Sequence, residues 1–117
     1  MAINTVRTVT VFVSDQDRAR EFYVDSLGLE VKVDHVFGEN RWLEVGPAEG
    51  TSLALHKPFP GATAGGGQGT LFASDDLDAD VARLQRAGVV VDGPEQMPWG
   101  RQATFTDPDG NGYVLQG

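Results

Sequence analysis

The sequence repeats itself at an offset of 60 residues, and this internal repeat restricts the possible folds more than any other feature of the chain. The shift superposes identical residues in a strand-like segment, a helix-like segment, the glycine after the helix and a final strand-like segment. The matched pairs include Thr10 with Thr70, Phe12 with Phe72, Ser14 with Ser74, Gly28 with Gly88, Arg41 with Arg101, and Leu55 with Leu115. Such a repeat predicts two copies of one unit of roughly 55 to 60 residues, each too small to be stable without its counterpart.

Each copy predicts one strand, one helix and three further strands. In the first copy an alternating, β-branched segment precedes Ser14 and Asp15, either of which can cap a helix that ends near Gly28. The predicted strands lie at 6–13, 29–37, 41–45, 52–56, 70–73, 89–91, 102–106 and 113–116, and the second helix at 76–87. Matching Asp17 with Asp78 requires an offset of 61, which leaves the register of the second copy's first strand open by one residue.

These elements define the fold class and the domain organisation. We predict an α+β fold in which two tandem βαβββ modules, residues 1–57 and 70–117, form one integrated domain. Residues 58–69 are rich in glycine and proline and form the predicted linker. The run Gly65–Gly67 within it lacks both the following lysine and the helix start that a phosphate-binding loop needs.

The composition excludes several classes of function. The chain has 17 acidic and 9 basic side chains, and its net charge of −8 opposes binding to the phosphate backbone of nucleic acids. It has no cysteine, which excludes disulfides, thiol nucleophiles and cysteine-ligated metals. The apolar runs are much shorter than the roughly 20 residues of a membrane-spanning helix, and the N-terminal segment alternates, unlike a signal peptide. We therefore predict a cytoplasmic protein that acts on a small molecule or on another protein.

Three stretches give the chain a family resemblance. They are S-D…A…F-Y…L-G-L-E-V in the first copy, D-D-L-D-A…L…A-G-V in the second, and W-G-R-Q-A-T-F-T-D-P-D-G-N at 99–111. With the tandem βαβββ pattern, they make the whole chain resemble the vicinal oxygen chelate superfamily of glyoxalase I, extradiol dioxygenases, fosfomycin-modifying enzymes and bleomycin-binding resistance proteins. The resemblance implies an open, cup-shaped mixed sheet with the helices outside. It also implies a homodimer, which would cover the exposed sheet edges.

The resemblance also locates the positions where metal-dependent members hold a divalent ion. These positions fall on Thr8, Ala54, Gly69 and Val114, with Gln68 or Thr70 replacing Gly69 if the register slips. A divalent ion needs several convergent nitrogen or oxygen ligands, which these residues do not supply. We therefore expect no metal, no cofactor and no catalytic residue, as in the metal-free, bleomycin-resistance-like binding proteins of the superfamily.

Aromatic and histidine side chains are the candidate ligand contacts. We predict a ligand-binding set of His35, Phe37, Trp42, His56, Phe59, Trp99 and Arg101. Several members have a second interpretation. Phe37 and Trp42, like Phe12, also fit an ordinary sheet core; the two histidines fit solvent-exposed strand positions; Arg101 can pair with Glu44, with an acidic ligand or with water. Asp107–Asn111 carries two carboxylates, which a β-turn explains better than acid–base chemistry.

The sequence supports one leading function and two alternatives. The leading hypothesis is a protein that binds and sequesters a small antibiotic-type molecule, aromatic and, because of the negative net charge, cationic. The first alternative is a metal-dependent glyoxalase-like lyase or isomerase, or a ring-cleaving dioxygenase. The second is a structural or regulatory module whose cup is filled by its own side chains.

Overall fold

The computed structural model describes residues 2–117 and divides the chain into two compact units, the first ending at Ala64 and the second spanning Gly65–Gly117. Each unit contains one mixed four-stranded sheet and one helical segment, in the order strand, helix and three strands. The predicted α+β fold of two βαβββ modules is therefore confirmed.

The two units have the same topology. The first consists of β1 (Thr8–Phe12), α1 (Gln16–Arg20), a π-helical segment (Glu21–Ser26), β2 (Glu30–Phe37), β3 (Asn40–Gly46) and β4 (Ser52–His56). The second consists of β5 (Thr70–Ala73), α2 (Leu77–Arg86), β6 (Asp92–Met97), β7 (Gly100–Thr106) and β8 (Gly112–Gln116). The strand orders are β1-β4-β3-β2 and β5-β8-β7-β6, and in each sheet the first strand is parallel to its neighbour while the other pairs are antiparallel.

Local capping sets both helices where the sequence predicts them. The Asp15 side chain accepts a hydrogen bond from the backbone N–H of Arg18, and this bond lowers the pKa of the Asp15 carboxyl group. Gly28, with φ of 77°, ends the helical segment because a left-handed residue is cheapest as glycine. The second half of the segment is π-helical, a feature that the apolar spacing does not reveal. In the second unit, Asp76 caps α2 in the same way.

The second strand of the second unit lies later in the sequence than predicted. The Val89–Val91 run is not a strand: the N–H of Val89 bonds to the carbonyl of Leu84 and completes the helix end, and Val90 is 89% exposed. The strand is β6, which contains Gly93 and Pro94 and pairs irregularly with β7. β6 is the edge strand of its sheet, where a proline does not interrupt a second ladder.

Each unit buries apolar side chains between its helix and one face of its sheet. In the first unit the fully or nearly buried residues are Val11, Val13, Ala19, Tyr23, Leu43, Val45, Leu53 and Leu55. In the second they are Leu77, Val81, Leu84, Ala103, Phe105, Tyr113 and Leu115. Burying a side chain of this size contributes roughly 1.5–3 kcal/mol to stability. These two cores therefore fix each helix on its own sheet.

Both copies of the repeat contain an equivalent ion pair. It joins the start of the helix to β3 in the first unit and to β7 in the second. Arg41 on β3 contacts Asp17 at 2.7 Å, and Arg101 on β7 contacts Asp78 at 2.9 Å. Arg41 and Arg101 are related by the offset of 60 residues, and Asp17 and Asp78 by the offset of 61. Both arginines therefore point to the helix side of their sheet, which identifies the opposite face as the one available for a ligand.

The ion pairs of Asp34 stabilise the first unit in a pH-dependent way. Asp34 accepts two hydrogen bonds from the guanidinium of Arg41 and contacts Arg20 at 2.6 Å. The hydrogen bonds from Arg41, helped by the charge of Arg20, lower the pKa of Asp34 below its ordinary value. A carboxyl group with a lowered pKa stabilises the fold fully above its unfolded pKa of about 3.9, and this contribution is lost as the pH falls further.

We expect Asp34→Asn to lower the free energy of unfolding by about 1–2 kcal/mol at neutral pH, because a paired charge is removed from a partly exposed network. The difference from the unchanged protein should shrink as the pH falls below about 4. Urea denaturation at several pH values measures this. Glu30→Gln, an exposed acidic residue on the same strand, is the matched control; an equal, pH-independent loss in both variants would contradict the prediction.

Candidate functional site

The face of the first sheet opposite α1 carries most of the predicted ligand contacts. The Arg41 side chain lies on the helix side of the sheet. Because successive side chains of a strand point to opposite faces, Trp42 and Glu44 lie on the face away from α1. The pairing register brings further residues to the same face: Ala54 opposite Glu44, Val33 opposite Glu44 and His35 opposite Trp42. β1 adds Thr8, Thr10 and Phe12 through its pairing with β4. We call this surface the distal face.

Four rings form an aromatic cluster on the distal face, defined by Phe12, Trp42, His56 and Phe59. The ring centroids lie 5.2 Å apart for Phe12 and Phe59, 4.8 Å for His56 and Phe59, and 5.8 Å for Trp42 and His56. Phe12, Trp42 and His56 are partly exposed, and Phe59 is 48% exposed. Phe12 and Trp42 lie on the face opposite the helix-side core of their sheet, and each keeps part of its ring exposed. Partly exposed rings with fixed neighbours are a surface on which a flat ligand can stack.

Two hydrogen bonds hold the imidazole of His56 within the aromatic cluster. Nδ1 lies 2.5 Å from the backbone carbonyl oxygen of Lys57, and since a carbonyl only accepts, Nδ1 is the donor. Nε2 lies 2.8 Å from Oδ1 of Asn40. His56 thus has a defined ring orientation between Trp42 and Phe59 rather than rotating freely in water at the end of β4.

Glu44 is a buried acidic residue of the distal face and was not among the predicted ligand contacts. Its side chain accepts a hydrogen bond from the indole N–H of Trp42 at 2.6 Å and from the hydroxyl of Thr8 at 3.2 Å. The residue is 6% exposed. The bond to Thr8 crosses β4, on which Ser52 is opposite Thr8 and Ala54 is opposite Glu44. The sequence signal that could have identified Glu44 is its position two residues after Trp42 on the same strand, which puts both side chains on one face.

His35 and Phe37 extend the distal face onto the edge strand β2. Their ring centroids are 4.4 Å apart, and both residues are exposed, Phe37 by 62%. Phe37 is therefore not a core residue either. The register places His35 directly opposite Trp42, so the pair continues the aromatic surface beyond the aromatic cluster.

The two remaining predicted contacts, Trp99 and Arg101, belong to the second unit. Trp99 lies in the turn between β6 and β7, is 63% exposed and donates its indole N–H to Gln102 at 3.0 Å. Arg101 lies on the helix side of its sheet, where it makes two hydrogen bonds to Asp78. This pairing raises the pKa of Arg101 and lowers that of Asp78. Its side-chain partner is therefore Asp78 rather than Glu44, and Arg101 is the structural counterpart of Arg41.

The second unit has a pocket of its own on the face away from α2. Its volume is about 440 Å³, within the range of small-molecule sites. The lining residues are Gln68, Gly69, Val90, Asp92, Thr104, Phe105, Thr106, Gly112, Tyr113 and Val114. Gly69 and Val114, two of the four positions at which the superfamily resemblance locates metal ligands, are thus exposed to a cavity, but neither brings a side chain that can coordinate.

The residues at the four implied metal positions do not fit a divalent ion. Thr8 and Ala54 lie on the distal face, where the hydroxyl of Thr8 is hydrogen-bonded to Glu44 and Ala54 has no donor atom. Gly69 and Val114 likewise have no side-chain donor, and the amide of Gln68 contacts the carbonyl of Gly110. Within residues 2–117, no three or more His, Cys, Asp or Glu side chains converge as a metal site.

The acidic turn near the C-terminus has a structural function. One oxygen of Asp107 accepts hydrogen bonds from the N–H groups of Asp109 and Asn111, and the other accepts one from the Asn111 side-chain amide. Asn111 in turn accepts a hydrogen bond from the N–H of Gly67 at 2.8 Å. The turn, predicted from its Asp-Pro-Asp-Gly pattern, therefore connects the glycine-rich segment to the second sheet by a hydrogen bond.

Comparison with known proteins agrees with this architecture. The model of the Glyoxalase/Bleomycin resistance protein/Dioxygenase superfamily matches residues 5–115, and the chain belongs to this superfamily. The antibiotic binding protein TnmS3 from Streptomyces sp. CB03234 is 49% identical over 99% of this chain and 97% of its own, with a TM-score of 0.94. A glyoxalase/bleomycin resistance protein from the same organism is 46% identical over 97% of this chain and 100% of its own, with a TM-score of 0.88.

A curated relative extends the comparison to another genus. The uncharacterized protein YetH of Bacillus subtilis (strain 168) is 34% identical over 122 aligned residues, which cover 97% of this chain and 98% of YetH. The sequence similarity thus spans nearly the full length of both proteins. Among residues 2–117, neither helix has the length and apolar character needed to cross a bilayer.

Proposed function

We propose that this protein binds and sequesters a small, planar, antibiotic-type molecule without the participation of a metal. The observation that carries the proposal is the aromatic cluster: rings from β1, β3, β4 and the segment after β4 meet on the distal face and are left partly exposed. Exposed rings with fixed neighbours cost little entropy to order and offer a large apolar area to a flat ligand.

The similarity to TnmS3 supports the same function. TnmS3 is an antibiotic binding protein, and 49% identity along nearly the whole of both chains makes a related binding function a reasonable expectation for this one. The residues at the implied metal positions support it further, because they have no set of donors for the metal-dependent chemistry of other superfamily members. Within residues 2–117, no group of side chains converges as the metal site that the lyase, isomerase or dioxygenase alternatives require.

The negative net charge influences which ligands approach. A charge of −8 attracts cations and accelerates their association at low ionic strength. His35, Phe37, Trp42, His56 and Phe59 are the side chains that we propose as ligand contacts. Trp99 is a further candidate from the second unit, whereas the ion pair of Arg101 with Asp78 removes the support for its predicted role.

The proposal is tested by following Trp42 fluorescence. A Trp99→Phe variant leaves Trp42 as the only tryptophan, and it is titrated with bleomycin and with planar cationic drugs in the presence and absence of a chelator. We expect saturable quenching and a raised melting temperature with at least one ligand, unaffected by the chelator. Absence of both signals with every ligand counts against binding, and a strict requirement for a divalent ion would support the enzyme alternative.

A homodimer is part of the same proposal. The edge strand β2 exposes Val36 and Phe37, each by 62%, and β5 exposes Leu71 by 50%. Exposed apolar side chains on sheet edges favour association between copies. Light scattering distinguishes the 12.5 kDa monomer from a dimer of twice that mass. Location in the cytoplasm stays a prediction from the sequence.

A further inference from the structure

Glu44 differs from the ion-paired carboxylates of the chain in how its charge is compensated. Asp34 and Asp78 are each paired with arginine side chains at the surface. Glu44 is buried to 94%, and its two hydrogen-bond donors, Trp42 and Thr8, are both uncharged. Among residues 2–117 it forms no ion pair. A buried carboxylate without a counter-ion is costly, because its hydration is lost without a matching electrostatic gain.

The position of Glu44 relative to the aromatic cluster suggests where a counter-ion would come from. The indole N–H of Trp42 points to Oε2 at 2.6 Å, so the carboxylate lies at the edge of the indole ring. A flat ligand stacked on Trp42 would bring its own edge close to the carboxylate. Each oxygen of Glu44 uses one acceptor site for its present partner and keeps capacity for another donor.

Resting on the proposed function, we infer that Glu44 selects planar ligands that carry a protonated nitrogen at the edge of the ring. The aromatic cluster supplies the stacking surface, and Glu44 supplies the negative charge that distinguishes a cationic ligand from a neutral one of the same shape. A charge-assisted hydrogen bond in such a buried position is about twice as strong as a neutral one. Glu44 is thereby the specificity-determining residue of the distal face.

Glu44→Gln separates this role from the positioning of Trp42. Glutamine has the same shape, its amide oxygen can still accept from the indole of Trp42, and its amide nitrogen can donate to Thr8. Only the charge is removed. Thr8→Val is the complementary variant, since it removes one donor and keeps the charge. Glu21→Gln removes an exposed acidic charge from the π-helical segment and controls for the change in net charge.

The test compares two planar tricyclic probes at neutral pH by isothermal titration calorimetry. 9-Aminoacridine is a cation under these conditions, and acridine is neutral. We expect the unchanged protein, Thr8→Val and Glu21→Gln to bind the cation at least about tenfold more tightly than the neutral probe. In Glu44→Gln this preference should disappear, with the affinity for acridine changed less than about twofold.

Other outcomes overturn the inference in distinguishable ways. If the unchanged protein binds both probes equally, or if Glu44→Gln keeps the preference, the charge of Glu44 does not select the ligand, although the distal face still binds aromatics. If Glu44→Gln loses both probes equally, Glu44 acts only by positioning Trp42. If none of the proteins binds either probe or bleomycin, the proposed function itself is wrong. Should Glu44→Gln fail to fold, equal binding of the two probes by the unchanged protein still overturns the inference.

Discussion

Trp42→Ala is expected to weaken the binding of a planar aromatic ligand by about 2 kcal/mol, or about thirtyfold, while the protein stays folded. Trp42 is in the middle of the distal face, in contact with His56 and anchored by Glu44. Its removal takes away a stacking surface and leaves the carboxylate of Glu44 without one of its two donors. The ring is only partly buried, so the loss of stability should be much smaller than for a core residue.

The affinity change is measured by calorimetry with the ligand that gives the strongest signal in the fluorescence titration. Val36→Ala is the matched control, because Val36 lies on the neighbouring strand, opposite Arg41 on the helix side, and is 62% exposed. Equal affinities of the two variants would show that the ligand does not stack on the distal face.

Asn111→Ala is expected to lower the free energy of unfolding by about 3 kcal/mol. The side chain is 1% exposed, accepts from the N–H of Gly67 and donates to the buried carboxylate of Asp107. Alanine removes both bonds, and the buried carboxylate of Asp107 that loses its donor costs about 1–3 kcal/mol, to which the lost bond to Gly67 adds about 1 kcal/mol. Because Gly67 loses its acceptor, its amide should also exchange with solvent faster than in the unchanged protein.

Urea denaturation measures the first effect and hydrogen exchange the second. Asn4→Ala, at an exposed position outside the strands and helices, should stay within about 0.5 kcal/mol of the unchanged protein. If Asn111→Ala has the same unfolding midpoint as Asn4→Ala, the turn at Asp107–Asn111 does not hold the glycine-rich segment in place.

Local patterns were sufficient to predict most of the fold. Glycine at positions 28 and 88, capping aspartates at 15 and 76, and strands of alternating β-branched residues are signals that depend on neighbouring residues only. The position of β6 was not predicted, because Gly93 and Pro94 are residues typical of a turn. A strand with those residues exists only because β7 supplies a partner on one side, and this pairing is a property of the sheet.

The site was predictable only in part for the same reason. The sequence nominated Trp42 and His56 as ligand contacts, and the neutral residues at Thr8 and Ala54 were visible without a structure, but only the register between β3 and β4 puts the two rings on one face. Strand alternation alone did not show on which face of its sheet the Arg101 side chain lies. The ion pair with Asp78, at the start of α2, puts it on the helix side.

The sequence by itself determined the two βαβββ units and their caps, because these depend on residue type and spacing. The superfamily resemblance added four implied metal positions, at which the sequence has no ligand side chains. Only the tertiary structure decided that Thr8 and Glu44, 36 residues apart, share a hydrogen bond across β4. It also brought Phe59, from the segment after β4, onto the rings of Phe12 and His56. Contacts between distant residues depend on strand order and register, which arise from the packing of the whole unit.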